Sequence, residues 1–90
     1  MANKRLLKKR INKFDSELFA ECIAAYLVVQ EDDLAQLDGI LTNIIKTHSK
    51  FIRRISYPEP GMIQKRYYQI LWKEFKKNVN EVSDNIKALV

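Results

Sequence analysis

Hydrophobic residues in the first third of the chain recur at steps of three and four. They are Leu7, Ile11, Phe14, Leu18, Cys22, Ala25 and Val29. This spacing places them on one face of a helix, and Phe19, Ile23 and Tyr26 widen that face. No proline or glycine occurs before residue 39, so the pattern predicts a helix over about residues 3–30. A shorter helix stays open as an alternative, since Asp15 and Ser16 could cap its start.

A heptad pattern follows in the middle of the chain. Its members are Leu34, Leu37, Leu41, Ile44, His48, Phe51 and Ile55. The pattern predicts a second helix over about residues 33–55, with Asp33 and Gln36 as a capping box. The stripe continues in phase through Gly39, so we expect one continuous helix. Ile40, Ile45 and Ile52 broaden the stripe enough to contact two neighbouring helices.

Both prolines lie in the segment "PEPG" at 58–61. The residue before a proline is disfavoured in helical conformation, so the second helix should end near Ile55. Pro60 suits the first turn of a third helix, predicted over about residues 60–88. The third apolar stripe consists of Ile63, Tyr67, Leu71, Phe75, Val79, Val82, Ile86 and Leu89.

Three long amphipathic helices with short connections predict an all-α protein, an antiparallel up-down-up three-helix bundle. Its 90 residues are enough for a single domain over 1–90. Heptads are also typical of coiled coils, so a homo-oligomer that buries part of the apolar surface stays open.

Charge is distributed unevenly along the chain, although the net charge is only +5. In the predicted topology, residues 1–13 and 46–66 meet at one end of the bundle, which we call the basic pole. These segments carry twelve cations and one acid, Glu59, and the rest carries four lysines and ten acids. The cations are Lys4, Arg5, Lys8, Lys9, Arg10, Lys13, Lys46, Lys50, Arg53, Arg54, Lys65 and Arg66.

The basic pole predicts an anionic partner, which could be nucleic acid, an acidic protein or an anionic membrane surface. Arg5, Lys9 and Lys13 repel one another at i, i+4 spacing, and a bound anion would relieve that repulsion. Four aromatic side chains could stack on bases: Tyr57, Tyr67, Tyr68 and Trp72. Nucleic-acid binding is therefore the first hypothesis. The alternatives are a protein-interaction module or homodimer that uses apolar surface of helix two or three, and a pole that is merely a solvated face.

Catalysis is not predicted, because the sequence has no zinc-type spacing, no phosphate-binding loop and no nucleophile motif. Cys22 and His48 both lie on apolar stripes, which predicts a core thiol and a histidine that is either hydrogen-bonded in the core or at its edge. Phosphotransfer at His48 is a weaker hypothesis, because it needs an exposed imidazole ring. Histidine phosphotransfer domains also have a small residue one turn after the reactive histidine, where this chain has Ile52. We therefore predict a non-enzymatic protein without metal, cofactor or small-molecule substrate. Capping and solubility account for the acidic residues at the other end, which are Glu31, Asp32, Asp33, Asp38, Glu81 and Asp84.

The expected location is the cytoplasm. Cys22 is the only cysteine, which excludes an internal disulfide. The apolar run at 18–29 contains Glu21, is followed by "QEDD" where a signal peptide has its cleavage site, and is too short to span a membrane. The stretches "LKKRIN", "LFAECIAAYL" and "HSKFIRRISYPEPGM" resemble a group of small uncharacterised bacterial helical proteins. The resemblance implies a cytoplasmic bacterial protein and identifies no active-site residues.

Overall fold

Three long helices build the protein, in the order that the apolar stripes predict. The computed structural model describes residues 4–90, in which α1 spans Lys4–Ala25, α2 Leu34–Ser56 and α3 Gln64–Leu89, with a short 3-10 turn at Glu31–Asp33. Each helix contacts both of the others, and the molecule is a rod of 48 × 19 × 17 Å. The predicted all-α three-helix bundle is confirmed.

The core has two layers along the rod. The aromatic cluster consists of Leu7, Ile11, Phe51, Ile55, Tyr67, Tyr68, Leu71 and Phe75. The aliphatic cluster consists of Leu18, Cys22, Ala25, Leu37, Ile44, Val82 and Ile86. The aromatic cluster joins the start of α1, the end of α2 and the start of α3, so the helices run up-down-up. The segments of the basic pole therefore meet at one end of the rod.

The end of α1 differs from the prediction, because the helix stops at Ala25 and not near residue 30. The N–H groups of Tyr26 and Leu27 donate to carbonyls three residues back, at 3.2 and 3.1 Å, which tightens the last turn. Val29 still packs against the aliphatic cluster from the connection. The apolar spacing therefore continues past the point where the helix has ended. Residue 3, the predicted start of α1, lies outside the described residues.

The capping box predicted at the start of α2 is wrong. An N-cap side chain works from an extended backbone, whereas Asp33 has helical angles (φ −97°, ψ −2°) and makes no capping hydrogen bond. Asp33 has helical angles because it belongs to the 3-10 turn that precedes α2. The residue with an extended backbone is Gln30, which comes before that turn. Asp15 and Ser16 cap nothing, since both lie in the middle of α1.

The connection between α2 and α3 uses its proline and glycine in a turn. Gly61 has φ +87°, a conformation that favours glycine, and Pro60 precedes it as in a type II turn. α3 begins only at Gln64, after an extended Ile63. Pro60 is therefore not in the first turn of α3, because it is used to reverse the chain.

Two tyrosines of α3 donate hydrogen bonds to the last turn of α2. The last carbonyls of a helix lack partners within it. Here the hydroxyls of Tyr67 and Tyr68 donate to the carbonyls of Arg54 and Ile55, each at 3.1 Å. Both side chains are buried in the aromatic cluster, so the prediction that they could stack on bases is wrong.

We expect Tyr68→Phe to destabilise the protein by about 1–2 kcal/mol, because the buried carbonyl of Ile55 loses its donor. Urea unfolding followed by circular dichroism measures the change. The matched control is Tyr57→Phe, at a ring that is 79% exposed, which should leave the unfolding midpoint unchanged. Equal midpoints for the two variants would contradict the capping role of Tyr68.

Candidate nucleic-acid interface

The cations of the basic pole are largely open to solvent. Lys8 and Arg54 are half-buried, and the other predicted cations are exposed. Within residues 4–90, the only ion pair joins Arg54 to Glu74, at 2.6 Å. Most of the positive charge at this end is therefore not neutralised by a neighbouring carboxylate.

Arg54 differs from the rest of the pole because it is engaged inside the bundle. In addition to the Glu74 contact, its guanidinium lies 5.5 Å from the ring centre of Phe51 and 6.0 Å from that of Tyr67. The contacts with Glu74 and Tyr67 join α2 to α3 and stabilise their packing. Arg54 is thus the predicted anion-binding residue least available to a partner.

Trp72 lies where α1 meets α3, between cations from both helices. Its ring stacks on Phe75 at 5.7 Å and meets Phe14 edge-on at 5.6 Å. The guanidinium of Arg10 lies over the ring at 6.0 Å. Arg10, Lys65 and Trp72 share the lining of a narrow depression of about 80 Å³. The packing therefore holds a half-buried indole in a fixed orientation beneath an exposed guanidinium.

A shallow groove of about 500 Å³ continues from Trp72 along α3. Its lining consists of Arg66, Gln69, Ile70, Trp72, Lys73 and Lys76. The α1–α3 surface, as we call it, comprises Arg10, Lys65, Arg66, Gln69, Trp72, Lys73 and Lys76. It combines five cations, a polar amide and the indole on one side of the rod.

Lys73 and Lys76 were missed as candidate site residues. The signal was present, since Arg66, Gln69, Lys73 and Lys76 are spaced three, four and three residues apart and so share a helical face. The segment 46–66 that defines the basic pole ends at Arg66, whereas the charged face continues along α3 to Lys76.

The α2 members of the pole do not join this surface. Lys46, Lys50 and Arg53 are exposed but line neither the depression nor the groove. Tyr57 is 79% exposed in the turn. The predicted pole therefore divides into an α1–α3 part organised around Trp72 and an α2 part that ends at the exposed Tyr57.

A second groove runs between α1 and α2, away from Trp72. There the Nε2–H of the half-buried His48 donates to Asn12 Oδ1 at 2.6 Å, as expected for an edge histidine. Asp15 is 7% exposed, and among the described residues its Oδ2 has no hydrogen-bond partner. Burial raises the pKa of Asp15 from 3.8 to about 6, and His48 opposes part of that rise.

The burial of Asp15 was missed, although Ile11, Asp15, Leu18 and Cys22 follow the same three-and-four spacing. The sequence allows Asp15 and Ser16 as caps of a shorter helix, and charged residues are rarely buried without a partner. Cys22 is the buried core thiol that the stripe predicts, with its Sγ 4.0 Å from the carbonyl of Leu37.

Two further findings for residues 4–90 concern metal binding and membrane insertion. No group of three or more His, Cys, Asp or Glu is placed to hold a metal ion in this part of the chain. None of its helices has the length and apolar character needed to cross a membrane.

We expect Asp15→Asn to stabilise the protein by about 1–2 kcal/mol at pH 7, because it removes a charge whose burial opposes folding. The raised pKa means that the folded state binds this proton more tightly than the unfolded state does. The destabilisation is therefore present above pH 6 and fades as the pH falls from about 6 to 3.8. Thermal unfolding of both proteins at pH 7 and pH 4 measures it.

The control is Glu17→Gln, which removes an exposed carboxylate from the same helix and should change the midpoint little. The advantage of Asp15→Asn over wild type should shrink at pH 4. An advantage of the same size at both pH values would contradict the assignment.

Comparisons were made with protein-family models, with curated proteins and with solved structures, and none of them finds a match for this chain. The resemblance to small bacterial helical proteins therefore stays a prediction. What the chain binds has to be inferred from the two grooves and the charges around them.

Proposed function

We propose that the protein is a non-enzymatic binding module whose basic pole and α1–α3 surface bind nucleic acid. The observation that carries the proposal is the arrangement around Trp72. An indole held by Phe14 and Phe75 lies under the guanidinium of Arg10, and four further exposed cations lie beside it on α3.

The cations supply a contact for phosphate. Binding of Lys and Arg to a nucleic-acid backbone releases condensed counterions, which favours association at low salt. Lys65, Arg66 and Lys73 are exposed on α3, and none of them forms an ion pair within residues 4–90. Anions bound along this face would also relieve the repulsion among the cations.

Single-stranded nucleic acid fits the surface better than duplex. Bases are free to stack on side chains only where they are unpaired. A base could stack on the outer side of the Arg10 guanidinium, or on Trp72 once Arg10 moves to a phosphate. Either arrangement needs a base that is unpaired and turned out of its stack, and a single strand provides such a base at little cost.

An acidic protein would meet the same cations but would gain nothing from the indole.

A different competing function is protein–protein interaction or self-association through apolar surface. The exposed side chains of Phe19, Ile23 and Ile45 on α1 and α2 favour it. It predicts a mass that rises with concentration and affinity that depends weakly on salt, whereas nucleic-acid binding depends steeply on salt.

We expect a fluorescein-labelled single strand to bind with an affinity that falls steeply with salt, with a log–log slope of about −3 if four or five phosphates are contacted. Duplex of the same length should bind more weakly. Trp72 is the only tryptophan, so quenching of its emission should accompany the rise in anisotropy.

Two charge-matched variants locate the site. Lys65→Gln/Arg66→Gln/Lys73→Gln removes three cations from the α1–α3 surface, and Lys46→Gln/Lys50→Gln/Arg53→Gln removes three from α2. The first should weaken binding at least about ten-fold more than the second. No binding at low salt would exclude the proposal, and equal losses would exclude the α1–α3 surface as the site.

A further inference from the structure

The groove between α1 and α2 has the composition of a small-molecule site. Its volume is about 370 Å³, within the range of roughly 300–1,000 Å³ for ligand pockets. The lining consists of Asn12, Asp15, Ser16, Phe19, Ile44, Ile45 and His48. Phe19 and Ile45 are 42% and 57% exposed, so apolar walls stand open to solvent on both sides of a polar floor.

Asp15 is the feature that the fold does not explain. It is buried beside Phe14 in the apolar stripe of α1, where a hydrophobic side chain is the usual occupant. Instead the chain keeps a carboxylate that is 7% exposed, with one oxygen unpartnered within residues 4–90. A buried carboxylate opposes folding, and a cationic donor in the groove would offset its charge.

The neighbouring polar groups do not supply the donor. The Nε2–H of His48 points to Asn12 Oδ1, 2.6 Å away, and so is not directed at Asp15. Asn12 and Ser16 line the same groove from α1. The groove thus offers an acceptor at its floor, a polar edge beside it, and apolar walls around it.

We propose that this groove binds a small organic monocation, a protonated primary amine carried on a compact apolar body. The ammonium donates to the carboxylate of Asp15, and the apolar body packs between Phe19, Ile44 and Ile45. No covalent step is involved.

Other occupants fit these side chains less well. An organic anion would meet the Asp15 carboxylate with its own charge. A metal ion would need more ligands than one carboxylate and neutral side chains provide. A symmetric contact with a second copy centred on the groove would bring two Asp15 carboxylates together in an apolar interface, which is unfavourable.

The inference is independent of the proposed nucleic-acid site, because the groove shares no lining residue with the α1–α3 surface. The variant Lys65→Gln/Arg66→Gln/Lys73→Gln should bind the amine like wild type. Failure of one proposal therefore leaves the other intact.

The test is a titration of ¹⁵N-labelled full-length protein at pH 7.5 with 2-phenylethylammonium chloride, followed by amide chemical shifts. The neutral isostere 2-phenylethanol and the anion phenylacetate are titrated in parallel. Asp15→Asn removes the charge, and Glu17→Gln removes an exposed charge from the same helix as the matched control. Because Asp15→Asn is expected to be more stable than wild type, loss of binding cannot be attributed to unfolding.

We expect 2-phenylethylammonium to shift amides around the groove with a dissociation constant on the order of 0.1–1 mM. The alcohol, the anion and the Asp15→Asn variant should each bind at least about ten-fold more weakly, while Glu17→Gln binds like wild type. The proposal is overturned if the amine shifts no groove amides, if the alcohol binds equally well, or if Asp15→Asn retains full affinity.

Discussion

The aromatic cluster holds together three helix ends that repel one another by charge. Phe51 meets Phe75 edge-on at 5.2 Å between ring centres, and the hydroxyls of Tyr67 and Tyr68 fix the end of α2 against α3. Burying one such side chain contributes about 1.5–3 kcal/mol, whereas a like-charged pair on a helix surface costs a few tenths. Apolar burial therefore outweighs the repulsion, and the cations remain exposed at the basic pole.

The α1–α3 surface and the groove between α1 and α2 both carry charged side chains that do not stabilise the fold. The cations of the α1–α3 surface repel one another, and the charged form of Asp15 opposes folding above about pH 6. A chain of 90 residues has little stability to spare. Such unfavourable groups are typical of surfaces that serve a partner, and they lie here on different sides of α1. Phosphate and base suit one surface, and an amine suits the other.

Apolar periodicity was enough to predict the class, the number of helices and their order, because burial of one stripe per helix determines all three. Helix ends were predicted less well, since they depend on local backbone angles. Pro60 makes a turn with Gly61, Asp33 is already helical, and Val29 packs from outside α1. At the site, the basic pole could be predicted from the order of the helices, which brings its segments to one end. Lys73 and Lys76 were not predicted, because they lie on α3 beyond those segments. Asp15 was missed because a buried, unpartnered carboxylate runs against the usual preference of charged residues for the surface.

The central claim is that the α1–α3 surface is a nucleic-acid interface organised around Trp72. Residue-resolved amide shifts during titration with a short oligothymidylate test it most directly. The account predicts shifts that are concentrated at the start of α1 near Arg10 and along α3 from Lys65 to Lys76, with the Trp72 indole N–H among the largest. The far end around Glu31–Asp33 should be unaffected. Shifts confined to the α1–α2 groove, or none at low salt, would contradict the account.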